Sequence, residues 1–437
     1  MVPPRGTHGV GNGGLIPSMR AMSSPHHHTT AVIIGAGHAG LAMSRCLTDH
    51  GVDHAVLERG RVAERWRSER WDSLRLLTPR WQSRLPGWHY RGGDPDGYFT
   101  MPELIGHLEG YAASFDAPVH TSTAVTSVRR AGRGYAVVTD RGTWAAANVV
   151  VATGACDRPA VPAAARHLDA AIPQVTPNRY RSPEALPAGG VLVVGASATG
   201  VQLASELRAS GRAVVLAVGR HTRVPRRYRG LDIQWWLDRL GILDVAAGDV
   251  GALDRARREP SLQLAGDPFG RTLDLLTLAS RGVRLAGHVE RVGGSRVEFA
   301  DDLPAACGAA DRRLDHLLAR IDDHVDWSGL RAEVDEPECL PPFTPRGLRS
   351  LDLRRAGVTT VIWATGYRRA YPWLQVPVLD RHGEIRHRGG VTPMPGLYVL
   401  GLPFQRHRNS TFLDGTGRDA EHLATHMVAA LHDSPAA

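Results

Sequence analysis

The chain has no lysine: all 52 of its strongly basic residues are arginine. Schiff-base chemistry and the phosphate-gripping lysine of Walker-type loops are thereby excluded. Cysteine is scarce as well. Cys46, Cys156, Cys307 and Cys339 include no Cys-x-x-Cys pair, so there is no obvious redox dithiol. With no signal-like apolar core near the N-terminus, the expectation is four reduced, buried thiols in a cytoplasmic protein. Long apolar runs are also missing. The longest, near Trp144 to Ala155, falls far short of the roughly 20 residues a membrane helix needs, so no membrane partner is expected.

Residues 1–29 are rich in Gly, Pro, Ser and His and read as a disordered leader. His26-His27-His28 is a flexible run on this reading, and no metal is expected. The formal charge is +8, but the arginines are spread along the chain and alternate with acids. A nucleic-acid footprint would be clustered and interleaved with aromatics, so no nucleic-acid partner is expected.

What the chain does have is glycine in two telling places. Gly35-Ala36-Gly37-His38-Ala39-Gly40 follows the apolar run Ala31-Val32-Ile33-Ile34. Gly195-Ala196-Ser197-Ala198-Thr199-Gly200 follows Val191-Leu192-Val193-Val194. Each reads as strand, tight turn, helix, the context in which backbone N–H groups and a helix N-terminus hold a pyrophosphate. Two such units on one chain of 437 residues, 43% apolar, point to an α/β protein holding two dinucleotides. Electron transfer from a nicotinamide to a flavin is the usual reason for such a pair.

The two units differ in their next strand. The first ends in Glu58, where an acid accepts ribose hydroxyls and disfavours a 2′-phosphate; FAD or NAD fits, NADP does not. The second ends in Val218-Gly219-Arg220-His221. Arg220 stands where a 2′-phosphate would be met, with Arg223, Arg226 and Arg227 close by. The competing reading is a solvated basic turn.

Between and beyond these units the pattern is mixed. A helix is expected over Met101–Phe115, and a small antiparallel meander from Ala124–Val128, Tyr135–Thr139 and Thr143–Ala152. Asp157–Gly190 is rich in Pro and Ala and marks a boundary. Ile233–Leu240 reads as a helix carrying Trp235-Trp236, expected in a core or under a lid. Residues 245–345 give no clear period. Strand-Ala-Thr-Gly occurs twice, at Ala152-Thr153-Gly154 and Ala364-Thr365-Gly366, and both triplets are expected to pack closely against a cofactor. After Phe412 to Gly417 a helix is expected from about Asp419 to Leu431, its N-terminus facing charge on a flavin ring.

Taken together, the chain resembles the class B flavoprotein monooxygenase superfamily, and more closely the single-chain bacterial flavoproteins that carry a potassium-transport label. The carrying residues are both fingerprints, Arg65-Trp66 through Thr78-Pro79, both Ala-Thr-Gly triplets, Gly219-Arg220-His221 with Pro225 to Tyr228, and Asn409 to Asp419. The likeness runs from about Ala31 to His426. It implies two Rossmann-like domains, the NADP domain inserted into a discontinuous FAD domain. The expected division is 30–165 and 346–437 for FAD, 166–189 as linker, and 190–345 for NAD(P) with a helical substrate or lid region.

The resemblance also implies roles. Gly35, Gly37, Gly40 and Glu58 would bind the adenylate half of FAD, and Arg65, Trp66 and Thr78 would run along its flavin side. Thr153, Gly154 and Asp414 would line the same cofactor. Gly195, Ser197, Gly200 and Arg220 would bind NADPH. The implied activity is NADPH-driven oxygenation of a small substrate by O2 through a flavin C4a adduct, of the N-, S- or Baeyer–Villiger type; no catalytic acid or base is identified. In the linker, Thr176 stands where related monooxygenases carry a histidine. Two other readings therefore stay open: an NAD(P)H oxidase or quinone reductase of the same fold, and a nucleotide-sensing regulator. A homodimer is compatible with all three.

Overall fold

The computed structural model describes residues 1 and 27–432; most of the expected leader lies outside them. The exception is His27–Thr29. These residues open the first strand, β1 (His27–Ile34), where the His27 ring stacks on Trp144 at 4.3 Å. The described chain therefore enters the sheet three residues earlier than the glycine-turn pattern suggests.

The first unit continues through α1 (His38–Asp49), β2 (His54–Leu57), α2 (Met101–Ala113), β3 (Val119–His120), β4 (Val125–Ala131), β5 (Gly134–Thr139) and β6 (Gly142–Val151). Its strands lie in the order β3-β2-β1-β6-β5-β4. The long strand β6 joins two kinds of pairing. Gly142–Ala146 pairs antiparallel with β5 on one side, and Trp144–Val151 runs parallel to β1 on the other, from Trp144 beside His27 to Val151 beside Ile34. The expected meander is thus a continuation of the parallel sheet.

The second unit contains β7 (Gln174–Val175), β8 (Gly190–Val194), α3 (Ala198–Ala209), β9 (Val214–Ala217), α4 (Ile233–Arg239), β10 (Arg284–Ala286), α5 (Leu303–Ser328) and β11 (Val358–Trp363). Its sheet is all parallel, in the order β10-β9-β8-β11-β7. The chain then returns to the first sheet through β12 (Leu397–Val399), parallel to β6, and ends in α6 (Leu413–His432).

This topology moves two sequence-based boundaries. The expected division at 345/346 places Val358–Trp363 with the first unit, yet β11 is the neighbour of β8 in the second sheet. The second sheet therefore closes only at Trp363. The segment 166–189 is likewise more than a connector: it supplies edge strand β7 and buries Leu168, Ile172 and Tyr180.

Apolar burial explains why both sheets read as continuous hydrophobic runs rather than alternating ones. Each is covered on both faces, as parallel sheets require. On one face of the first sheet, α1 packs against α6, with Leu41, Met43 and Leu47 meeting a cluster that includes Leu423, Ala424 and Met427. On the other face the loop bearing Tyr371, Leu374, Val376 and Ile385 closes over Val32, Ile34 and Val149. The first cluster also contains Val191, Leu203 and Leu216 of the second unit, so one core spans both.

The helix starts differ in a telling way. Helix α2 has a complete capping box, in which Thr100 and Glu103 satisfy each other's backbone N–H groups. Helices α1 and α3 begin at Gly37 and Ser197 with no side-chain cap at all. Their first-turn N–H groups are left for another acceptor. Helix α6 begins at Leu413, earlier than the expected Asp419; it takes Gly415 and Gly417 into its first turns despite glycine's poor helix propensity.

Candidate active site

In the first glycine turn, conformation and crowding dictate the residue type at two positions and openness explains the third. Gly35 has φ +108°, and a Cβ there would lie 2.8 Å from the Ala152 carbonyl oxygen. A Cβ on Gly40 would lie 1.8 Å from the Gly35 carbonyl oxygen. Nothing stands within 4 Å of the Cβ position of Gly37. The first two glycines are thus required by the protein's own backbone; the third faces an open approach that a pyrophosphate fits. Glu58 braces the same turn: its carboxylate accepts from the Ala36 N–H at 2.8 Å and the Gly60 N–H at 2.9 Å.

The second turn repeats the first. Gly195 has φ +107°, and its Cβ would lie 2.3 Å from the Ala364 carbonyl oxygen. A Cβ on Gly200 would lie 1.8 Å from the Gly195 carbonyl oxygen. Ala152 donates to Ile34 O at 3.0 Å, and Ala364 to Val194 O at 2.8 Å, so each Ala-Thr-Gly triplet is hydrogen-bonded to the strand that carries its fingerprint. The triplets were expected against a cofactor; their alanines instead press on the glycine turns. The open positions are the two glycines, Gly154 with φ +78° and Gly366 with φ +89°, neither with an atom within 4 Å of its Cβ position. Thr153 precedes Gly154, while Thr365 is tied to the Ala160 carbonyl at 2.8 Å.

The arginines after β9 separate by burial. Arg223 lies between Asp274 at 2.9 Å and Asp311 at 2.7 Å, all three buried. Arg226, only 1% exposed, pairs with Asp232 and donates to the Leu77 carbonyl of the first unit at 2.8 Å. Neither is available to a ligand phosphate, which corrects the sequence-based grouping. Arg220 and Arg227 are exposed, and Arg220 makes no ion pair among the described residues. Trp236 is fully buried and donates to Tyr228 O at 2.8 Å, while Trp235 meets it edge-on.

The residues expected along a flavin are held mostly by partners in the first unit. Arg65 donates to the Cys156 carbonyl and lies 3.4 Å from Asp157, just beyond Gly154. The Arg70 guanidinium covers the Trp66 ring at 5.2 Å. Thr78 is half-buried beside Leu77, the acceptor for Arg226. Asp414, in the first turn of α6, is held by Arg84 through two contacts of 2.6 and 2.9 Å. The linker pair Tyr180-Arg181 is the strap: Tyr180 donates to Glu206 on α3 at 3.1 Å, and Arg181 donates to the Ser68 and Arg70 carbonyls. Thr176 caps this turn from below, donating to Asn178 at 2.7 Å.

Sequence reasoning missed several polar groups here. Both carboxamide atoms of Gln82 and the hydroxyl of Ser83 are buried without a partner, four and five residues after Thr78. Gln263 donates to the Ala196 carbonyl in the second turn at 2.7 Å and leaves its own carbonyl oxygen unmatched. His38 opens α1 with Nε2 buried and unpaired, and burial pushes its pKa down to about 4. Buried polar atoms without partners are rare in folded proteins, and two of these sit at the uncapped helices: His38 opens α1, and Gln263 bonds the Ala196 carbonyl just before α3. A weak signal was present for Gln82 and Ser83, a polar pair just after the Thr78-Pro79 motif, but not for Gln263.

Comparison with known proteins agrees with this architecture. Residues 32–236 match the family model described as pyridine nucleotide-disulphide oxidoreductase. The CzcO-like oxidoreductase of Geobacillus kaustophilus is 34% identical over 406 residues, covering 92% of this chain and 99% of that protein. The chain belongs to the CzcO-like oxidoreductase family. Indole-3-pyruvate monooxygenase YUCCA1 of Oryza sativa is 28% identical over 421 residues, 90% of each protein. A flavin-containing monooxygenase from Stenotrophomonas maltophilia shares the fold, with TM-score 0.65 at 18% identity over 93% of this chain and 99% of its own. This oxidoreductase has two dinucleotide-binding units and four unpaired cysteines. Among the described residues, no helix is long and apolar enough to cross a membrane.

Proposed function

We propose that the chain is an NADPH-dependent FAD monooxygenase that uses O2 to oxygenate a small organic substrate. The observation that carries this reading is the pair of uncapped helices: α1 and α3 present free N–H groups behind two built glycine turns, on sheets that share one core. The full-length likeness to a monooxygenase and the flavin-containing structural neighbour support the choice of cofactors.

FAD, when bound, would accept a hydride from NADPH and deliver the electrons to O2. The protein's part is binding and placement. The α1 N-terminus would hold the FAD pyrophosphate over Gly37, and Glu58 would receive the ribose hydroxyls on the lone pairs that Ala36 and Gly60 leave free. Gln82 and Ser83 supply unmatched hydrogen-bonding groups beside the ring-side motif. The α3 N-terminus would hold the NADPH pyrophosphate, and exposed Arg220 its 2′-phosphate. Arg84 neutralises Asp414 at the start of α6, so that helix end presents its N–H groups without an opposing charge. The Arg181 strap ties the linker to the Ser68 and Arg70 carbonyls and would help to place the two cofactors relative to each other.

A second reading, an NAD(P)H oxidase or quinone reductase, draws on Thr176. That residue is engaged in a local turn and sends no side chain towards either glycine turn. The test is the stoichiometry of FAD-loaded protein turning over NADPH in air with candidate amines, thioethers and ketones. Product matching NADPH consumed, with little peroxide, supports the monooxygenase. Stoichiometric peroxide with every substrate favours the oxidase, and a flavin that NADPH does not reduce anaerobically removes both.

A further inference from the structure

The first sheet carries a hollow that neither glycine turn lines. It holds about 360 Å³, and its polar and aromatic walls are His27, His120, Thr121, Thr123, Arg141 and Trp144. That volume lies within the range of small-ligand sites. Strand β1 supplies His27, β3 His120 and β6 Trp144, while Thr121 and Thr123 follow β3 and Arg141 sits in the turn between β5 and β6. Trp144 is 8% exposed and holds both imidazoles: His27 stacks on its ring at 4.3 Å, and His120 meets it edge-on at 4.8 Å.

The walls are fixed by their own backbone. Thr123 donates its hydroxyl to the Thr121 carbonyl at 3.0 Å and its N–H to the Glu58 carbonyl at 2.7 Å. The Ser122 N–H donates to Gly60 O at 2.8 Å, and Ser122 is held at φ +49°, a left-handed conformation that persists only where the surroundings impose it. Thr139 accepts the Arg141 N–H at 3.0 Å and donates to the Gly142 carbonyl at 2.9 Å, which sets the turn that carries the guanidinium. Against this frame the polar side-chain tips are free. Among the described residues, the Arg141 guanidinium, both imidazoles and the Thr121 hydroxyl have no hydrogen-bond or ion-pair partner. No acidic residue lines the hollow, and Asp140, beside Arg141, accepts the Ala124 N–H at 2.9 Å. Burial, and after it the neighbouring His27, lower the pKa of His120, so the hollow resists a further positive charge and lacks a negative one.

We propose that the hollow binds a phosphate monoester, with Arg141 as the charged contact and Thr121, His27 and His120 as neutral donors. The number of donors decides the class of anion. A guanidinium fork offers two N–H groups, each neutral imidazole one and the hydroxyl one, about five in all. An ionised carboxylate has only about four lone-pair sites, on two oxygens in one plane. A phosphate monoester presents three strongly accepting oxygens that point in different directions. The planar fork of arginine suits phosphate geometry. The hollow is larger than a bare phosphate, and the exposed ring of His27 gives the organic part a flat surface. Such a ligand would be additional to both dinucleotides, whose glycine turns do not line the hollow.

The test is calorimetric titration of the FAD-loaded full chain with phenyl phosphate, inorganic phosphate and benzoate. Phenyl phosphate is expected to bind at least tenfold more tightly than benzoate and several-fold more tightly than inorganic phosphate. R141Q should weaken phenyl phosphate at least tenfold. T121V, which keeps the shape of the side chain, should weaken it several-fold, with FAD content and melting temperature unchanged in both variants. R220A should leave phenyl phosphate binding as it was. Benzoate bound as tightly as phenyl phosphate overturns the choice of anion, and inorganic phosphate bound as tightly overturns the ester. Affinity that survives R141Q in folded protein, or that is lost in R220A instead, overturns the site, since the phosphate would then be held at a nucleotide turn. Binding of none of the three probes overturns the proposal outright.

Discussion

The carbonyl oxygen of Ala364 lies 2.3 Å from the point where Gly195 would carry a Cβ, and the carbonyl of Ala152 stands in the same relation to Gly35. No real Cβ tolerates such an approach to backbone, and both glycines have φ above +100°. G195A is therefore expected to cost about 1–3 kcal/mol from the conformation alone, with backbone displacement in addition. The variant should load FAD normally and bind NADPH at least tenfold more weakly. G35A should show the reverse, a purified protein depleted of FAD. Flavin absorbance and NADPH titration of the two variants check the assignment; FAD loss from G195A alone would reverse the roles of the two units.

Arg220 and Arg223 are three residues apart and are expected to fail in different ways when removed. R220A deletes an exposed, unpaired guanidinium. It should weaken NADPH by one to two orders of magnitude, the worth of about 1.5–3 kcal/mol for a charge-assisted contact, and leave NADH and the melting temperature unchanged. R223A leaves Asp274 and Asp311 buried without their cation, which costs about 3–5 kcal/mol of stability. Dissociation constants for both nucleotides and a thermal melt separate the two. Equal loss of NADH and NADPH in R220A would remove its 2′-phosphate role.

That contrast also shows what could be read from sequence alone. The glycine turns were legible because their requirement is local: a positive φ and a close backbone approach admit only one residue type. Distance along the chain picked out Glu58, which braces its glycine turn, and exposed Arg220; the role of each toward a cofactor is a proposal. It did not sort out Arg223 and Arg226, because nothing in an arginine-rich string says which guanidinium will be buried beside Asp274, Asp311 or Asp232. The second sheet's last strand was assigned to the wrong unit for a similar reason. Val358–Trp363 has the composition of any apolar strand, and only its pairing with Gly190–Val194 places it. Between 245 and 345 one signal was available: Leu303, Cys307, Ala310, Leu314, Ile321 and Val325 mark the buried face of the 26-residue helix α5.

Acid sensitivity should centre on buried histidines. Burial holds the pKa of His38 down to about 4 at the start of α1. An unfolded chain takes up that proton near pH 6.5, so below this pH the unfolded state binds more protons and stability falls as the pH falls. The loss accumulates from about pH 6.5 down to about 4, at up to about 1.4 kcal/mol per pH unit for one histidine, and is complete below that. H38N should flatten this part of the profile without changing stability at pH 8 by more than about 1 kcal/mol. His387 behaves in the same direction and leaves a residual slope. Melting temperatures from pH 8 to pH 4 check this; a slope unchanged in H38N would assign the acid sensitivity elsewhere.

Arg181 should matter for geometry rather than for binding. It contacts neither glycine turn; its guanidinium donates to the Ser68 and Arg70 carbonyls, and the neighbouring Tyr180 hydroxyl reaches Glu206 on α3. Removing the guanidinium leaves both cradles intact but loosens the joint that sets their separation. A hydride transfers only at near-contact distance, and a displacement of about 1 Å can cost on the order of a hundredfold in rate. R181A should therefore slow anaerobic flavin reduction by about 10- to 100-fold, with FAD content and NADPH affinity within a factor of about three of the parent. R181K keeps the charge but only one compact donor group, and should fall between the two. Stopped-flow reduction at saturating NADPH gives the rate, and its dependence on NADPH concentration gives the affinity. A purely structural role would lower the melting temperature and cofactor content together. The positioning role predicts a loss confined to the reduction rate at saturation.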